Sequence, residues 1–198
     1  MARNETLNRQ IRDARQETIL EAALRLFVRK GLAGTSSAEI AAAAGASHGL
    51  VYHYFPSKEA IYVALVKRAM EASSELTARA LRTPGTAWQR LRSVCSQMLE
   101  GGWGDVEYTL IILQATVGVP VPEEARAIIR SHAEASVSNL AELIEQAQAA
   151  GDAAAGDPRE LAQLLSSIVL GCLASTSVTR LGRDTYPTVD RVLRVLRQ

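Results

Sequence analysis

Apolar side chains recur along this chain at spacings of three and four, the period of an α-helix, and no stretch reads credibly as a strand. The first stripe, Ile19, Leu20, Ala23, Leu26 and Phe27, predicts a helix over 11–30 that Gly31 ends. Ser36 with Glu39 is a capping box, so a short helix begins there, and its alanine run 40–44 stops at Gly45. Ser47 caps a second short helix over 48–55, which Pro56 closes. Ser57 caps a long helix over 58–81, about 36 Å at about 1.5 Å per residue, enough to join two domains rigidly. After Thr83-Pro84-Gly85, a Thr86–Gln89 capping box opens a helix reaching 100. Glycines at 101, 102 and 104 precede a helix over 106–117, and Val119-Pro120-Val121-Pro122 separates it from a long one over 122–149. Asp157, Pro158 and Glu160 start a helix over 158–178 that is apolar nearly all round and so demands cover on every face. The last, over 188–197, aligns Val189, Val192, Leu193 and Leu196, with Arg191 and Arg194 opposite. The pattern predicts an all-α fold of about nine helices without internal repeats.

Two short helices joined by a glycine-containing turn fit a helix-turn-helix, whose second helix enters the DNA major groove. Such turns are common in small helical proteins, so the chemistry matters more than the spacing. Ala41, Ala42, Ala43, Ala44 and Ala46 let the two helices approach a third closely. Tyr52, His53, Tyr54 and Lys58 gather hydroxyl, imidazole and ammonium donors, which suit phosphate oxygens. The same residues also read as packing aromatics beside a solvated lysine.

Gly31, Thr35-Ser36, Ile40-Ala41, Ala44-Gly45, Ser47, Gly49, Leu50-Val51-Tyr52, Phe55 and Ser57-Lys58-Glu59 occur in an order and spacing that resembles the tetracycline-repressor (TetR/AcrR) family of bacterial transcription regulators. The resemblance covers about residues 10–65; beyond them only the helical layout is similar. It implies a helix-turn-helix head over 1–57 and a ligand-binding and dimerisation domain over 58–198. It implies further that Thr35, Ser36, Ser47, His48, Gly49, Leu50, Tyr52, His53 and Lys58 face DNA. Thr35, Tyr52 and Lys58 take phosphate-holding positions, Ser47, His48 and Gly49 open the recognition helix, and Leu50 and His53 lie further along it. The chain departs from the family at three places. Lys, Arg or Pro often stands where this chain has His48, and Thr where it has Leu50. The order Tyr52-His53-Tyr54 replaces the commoner Tyr-x-His. His48 suits a purine N7 and Leu50 a thymine methyl, but neither has an unambiguous partner in the groove code.

Net charge is +1 over 198 residues, so any affinity for DNA must rest on local distribution. Residues 1–60 hold eight Lys/Arg against six Asp/Glu, and the remainder fourteen against fifteen. Arg3, Arg9 and Arg12 read either as a mobile basic arm near phosphates or as an idle tail. The absence of an apolar run of membrane-spanning length and the charged N-terminus predict a cytoplasmic protein with no membrane span. Cys95 and Cys172 have no nearby cysteine partner and read as buried small hydrophobes, so neither a metal site nor a cofactor is expected.

Leu161, Leu164, Leu165, Ile168, Cys172, Val189, Leu193 and Leu196 on the last two helices either complete a monomeric bundle or pair with their copies in a four-helix interface. The resemblance implies the second. Only a dimer presents recognition helices to major grooves about 34–36 Å apart. Trp88, Met98, Trp103, Tyr108, Ile112, Gln114 and His132 mix large apolar groups with isolated polar ones, as a small-molecule pocket does and as an ordinary core also does. His132 follows Ile128 and Ile129 by four and three residues and should face inward with them. Few inward charges point to an apolar or neutral effector. The expected function is a non-enzymatic, ligand-responsive DNA-binding regulator, a repressor that leaves a palindromic double-stranded operator when its effector binds. The alternatives are a ligand-independent architectural DNA binder and an enzyme carrying a helix-turn-helix. The glycine-rich phosphate loop, GxSxG elbow or metal-spaced cluster that the last would call for is not found in the sequence.

Overall fold

Helix caps and apolar stripes set the architecture of the computed structural model, which describes residues 2–99, 106–116, 120–179 and 187–197. In chain order the helices are α1 Ala2–Lys30, α2 Ser37–Ala43, α3 His48–Tyr54, α4 Lys58–Arg82 and α5 Ala87–Leu99. They continue as α6 Val106–Thr116, α7 Glu123–Ala149, α8 Pro158–Thr179 and α9 Val189–Val192, the last running into a 3-10 turn, Leu193–Leu196. Among the described residues there is no strand, and the fold is all-α.

The starts of α2, α3, α4 and α5 carry the caps their sequence prescribes. Ser36 Oγ accepts from the Glu39 amide at 3.2 Å while the Ser36 amide donates to the Glu39 carboxylate at 2.9 Å. Ser47 Oγ accepts from Leu50 N at 3.2 Å, and Ser57 Oγ from Ala60 N at 3.1 Å. Thr86 and Gln89 form the second reciprocal box, at 3.0 and 3.2 Å. Gly31 and Gly45 end α1 and α2 at φ of 71° and 60°, the left-handed region that other residues enter at a cost.

Two apolar clusters share the interior. One joins Ile19, Ala23 and Phe27 of α1 to Ile40, Val51 and Phe55, and continues through Ile61, Tyr62 and Leu65 of α4 to Ile111, Ile112 and Ala115 of α6. Phe27 meets Tyr62 edge-on, with ring centroids 5.5 Å apart. The other packs Leu91, Val94 and Cys95 of α5 against Leu140, Leu143 and Ile144 of α7, Leu165 and Val169 of α8, and the C-terminal turn. Burial pushes the Cys95 thiol up to about 12, so it stays a neutral apolar filler. Helix α4, 25 residues and about 37 Å long, runs through both clusters with α7 alongside it.

Both ends differ from the periodicity. Helix α1 begins at Ala2 rather than at residue 11, extended by mostly polar residues that add no apolar stripe. The final element, expected as one helix over 188–197, is one α turn and one 3-10 turn, Val189–Val192 and Leu193–Leu196. Its face is used within the chain: Val189, Leu193 and Leu196 are 4%, 1% and 0% exposed, and Leu165 is 1% exposed. A short element with one apolar stripe turns it to its own core and leaves Arg191 and Arg194 outside. Arg92 of α5 pins this segment through Asp190, Nε to Oδ1 at 3.0 Å. What remains outward on α8 is Leu164, 47% exposed, flanked by half-buried Leu161, Ile168 and Cys172.

Candidate nucleic-acid interface and internal cavity

Helix α3 is held by its inner side and offers its outer one. Val51 and the following Phe55 are buried, and Tyr54 packs partly against the same cluster. Ser47, His48, Gly49, Tyr52 and His53 are exposed, and Leu50 is half-buried between the two faces. His48 and Tyr52, four residues apart, meet edge-to-face with ring centroids at 4.8 Å, so the imidazole and the phenol form one outward platform. His53 sits edge-on to Tyr54 at 5.4 Å. A short helix whose outward side chains are hydroxyl, imidazole and phenol has the donors and acceptors that base edges and phosphates engage.

Two of the expected phosphate ligands are turned inward instead. Thr35 is 1% exposed, and its hydroxyl donates to the Gly31 carbonyl at 2.8 Å. Lys58 directs its ammonium to the carbonyls of Leu32 at 2.8 Å and Thr35 at 2.7 Å, with Ala33 at 3.5 Å. The physical reason is that carbonyls at the end of α1 and in the following turn lack intrahelical partners, and an ammonium carries three donors. Lys58 thereby clamps the start of α4 to the loop that precedes α2. The Ser36 hydroxyl is exposed but also donates to Glu39, at 2.9 Å. A depression of about 460 Å³ beside this frame is lined by Gly34, Ser36, Glu39, Tyr52, Ser57 and Lys58, among others. Glu39 is neutralised there by an ion pair with Lys30. That pair and the Ser36 amide and hydroxyl hold the Glu39 carboxyl down at about 2.

A half-open, mainly apolar cavity of about 240 Å³ lies where α4, α5, α6, α7 and α8 converge, with Thr116 and Ala133 on its wall exposed. Its walls are Met70 and Ser73, Met98, Ile112 and Thr116, Ile129, Ala133, Ser136, Val137 and Leu140, and Ser166, Val169, Leu170 and Leu173. No charged side chain of the described residues lines it. Of the seven residues proposed from sequence, the structure brings Met98 and Ile112 to this wall. Trp88 is half-buried on α5 with the Arg197 guanidinium 4.4 Å above its ring, outside the cavity. Tyr108 packs partly on the first cluster, and Trp103 lies outside the described residues. Gln114 and His132 tie helices together. Gln114 Nε2 donates weakly, at 3.4 Å, to the carbonyls of Phe27 and Val28 at the end of α1, and His132 Nδ1 lies 2.8 Å from Ser74 Oγ of α4.

The cavity residues that sequence reading missed share a signal. On α7, Ile129, Ala133, Ser136, Val137 and Leu140 follow one helical stripe in which two members are truncated. Ala133 and Ser136 on this stripe, with Ser73 of α4 also on the wall, leave room unfilled.

Residues 19–65 match the family model described as bacterial regulatory proteins, tetR family. The chain is 41% identical over 58 residues to the HTH-type transcriptional regulator RutR of Escherichia coli, a match covering 29% of this chain and 27% of that protein. It is 37% identical over 86 residues to the HTH-type transcriptional activator FasR of Mycolicibacterium smegmatis, covering 43% and 39%. These matches thus span between about a quarter and two fifths of the relatives' length. Among solved structures, AibR in complex with isovaleryl coenzyme A and operator DNA superposes with a TM-score of 0.70 at 26% identity, covering 90% of this chain and 93% of that one. FadR of Bacillus subtilis in complex with stearoyl-CoA gives 0.70 at 21% identity, covering 90% and 94%, which is a likeness of fold.

Proposed function

We propose that the chain, whose residues 19–65 match the tetR family model, is a member of that family and a ligand-responsive transcription regulator binding operator DNA as a homodimer. The observation that carries the reading is the pairing of an outward α3 platform with an apolar cavity two of whose wall helices, α4 and α6, also pack in the cluster that holds that platform. Ser47, His48, Gly49, Tyr52 and His53 are the residues proposed to meet DNA, with Ser36 at the edge of the same face. Thr35 and Lys58 position them.

Helix α4 divides the proposed roles: a head over 1–57, and a sensing and pairing region over 58–198. The exposed strip of α8 at Leu164, flanked by Leu161, Ile168 and Cys172, is the surface proposed to meet a second copy. An effector in the cavity would touch Met70 on α4 and Ile112 on α6 at once. Those helices are joined by a buried bond from Tyr62 Oη to the Ile111 carbonyl, 3.0 Å, and α6 reaches α1 through Gln114. Effector binding changes DNA affinity only by its preference for one arrangement of these helices over the other. AibR binds operator DNA and isovaleryl coenzyme A, which supports extending both partner classes to this chain. The repressor direction follows the family resemblance, and FasR, named an activator, makes it a point for experiment.

The test is selection of bound fragments from the source genome, followed by fluorescence anisotropy on the recovered sequence. A two-half-site motif bound with strong salt dependence is the expected result. Recovery of fragments without a shared motif would favour the ligand-independent architectural reading.

A further inference from the structure

We infer that the cavity's occupant is an uncharged, mainly apolar molecule of about ten non-hydrogen atoms, carrying one oxygen that hydrogen-bonds to Ser136. This deepens the ligand-responsive reading above and rests on it. The size follows from scale: an apolar cavity of about 150 Å³ takes up benzene, and this one holds about 240 Å³. The charge follows from the wall. With no ionised side chain among its described lining residues, a carboxylate or phosphate inside would lose its hydration without gaining a counter-charge.

The oxygen follows from the four hydroxyls on the wall, those of Ser73, Thr116, Ser136 and Ser166. Ser166 Oγ donates to the Ala162 carbonyl at 2.8 Å and Thr116 Oγ1 to the Leu113 carbonyl at 2.9 Å, so both are spent within their own helices. Ser136 is 8% exposed, and its buried Oγ has no hydrogen-bond partner among the described residues. It forgoes even the carbonyl four residues back, the usual partner of a helical serine. A buried hydroxyl without a partner is disfavoured against alanine at the same place. A water here would find at most Ser136 and Ser73 as polar partners on an otherwise apolar wall, so a ligand oxygen that brings its own hydrocarbon body displaces it favourably. A ligand bearing one oxygen on a hydrocarbon body satisfies Ser136 and fills the rest.

The experiment titrates the full chain, and its Ser136→Ala variant, with 1-nonanol, nonane and nonanoate by calorimetry. Nonanol should bind roughly tenfold or more tighter than nonanoate. Ser136→Ala should weaken nonanol by roughly three- to tenfold and leave nonane unchanged or tighter. Without ligand, the variant should melt at or above the wild-type temperature. Equal binding of nonanoate, an equal effect of Ser136→Ala on nonane and nonanol, or failure of both neutral probes to bind would each overturn the inference. Operator release is read separately on the selected DNA. Nonanol that binds with the Ser136 signature but leaves operator affinity unchanged upholds the ligand class and refutes the regulatory reading. A charged compound that releases the operator while nonanol fails to bind does the reverse.

Discussion

Replacing Lys58 by methionine separates two roles that the same side chain could play. Its ammonium makes two short bonds, at 2.8 and 2.7 Å, to the carbonyls of Leu32 and Thr35. Hydrogen bonds to a charged group are worth about 1.5–3 kcal/mol each in net terms. The site is half-exposed, so water re-solvates the freed carbonyls and reduces the pair to about 2 kcal/mol in total. For a chain of this length that is a fall in Tm of about 4–8 °C, read by thermal and urea unfolding. Methionine keeps the aliphatic stem, so packing changes little. DNA binding is then followed by anisotropy over a range of salt concentrations. A lysine held on carbonyls neutralises no phosphate, so the slope of log affinity against log salt should stay as in wild type. Were Lys58 a phosphate ligand, the slope would drop by about 0.9 per contact, or about 1.8 for the two copies in a dimer. Unchanged stability together with that drop would refute the clamp.

His48→Ala should change the preferred base at one operator position by about 1–3 kcal/mol, measured by repeating the fragment selection; an intact motif would move base reading to Ser47, His53 or DNA shape. Lys30 first, and then Ser36, hold Glu39 at about 2 in the folded chain, below its ordinary value of 4.5. The unfolded chain therefore binds the proton first, so this stabilisation is present above about pH 4.5 and is lost as pH falls from there towards 2. Glu39→Gln should flatten that segment of the urea-midpoint profile, and an unaltered profile would remove the ion pair from the account. Leu164→Glu, at a position 47% exposed, should split the proposed dimer while leaving a folded monomer in light scattering, whereas Leu193→Glu, at 1% exposed, should unfold the chain. A folded Leu193→Glu monomer would return the C-terminal turn to the interface.

The elements were legible because their ends are chemical. Ser36, Ser47, Ser57 and Thr86 each cap the helix that the sequence assigned to them, and Gly31 and Gly45 stop α1 and α2. The first turns of α1 carry no apolar stripe, so periodicity had nothing to report there. The C-terminal stripe announced burial correctly but not against what, since the same four residues fit an own core or a partner. Roles in the head were visible as positions and not as contacts: Lys58 meets a carbonyl 26 residues earlier, a pairing that only tertiary placement creates. The cavity was hardest to read because it is made of absences. Periodicity marks which residues face inward, whereas a void arises where several inward residues on different helices are small together.

Coupling between cavity and head needs little machinery on the proposed reading, because the two share a wall. Ile112 lines the cavity and also belongs to the apolar cluster that holds α1, α2 and α3. An occupant that displaces it acts directly on the packing beneath the recognition helix, with α4 and α6 moving together through Tyr62 and Ile111. A typical allosteric coupling of about 1–3 kcal/mol is the size of one lost hydrogen bond plus part of a buried aliphatic side chain. The weak Gln114 contacts to Phe27 and Val28 and the Ile112 packing supply terms of that size. A ligand that fits the cavity without moving α6 changes nothing at the DNA, however tightly it binds. By reciprocity, operator binding must weaken a true effector by the same factor that the effector weakens the operator.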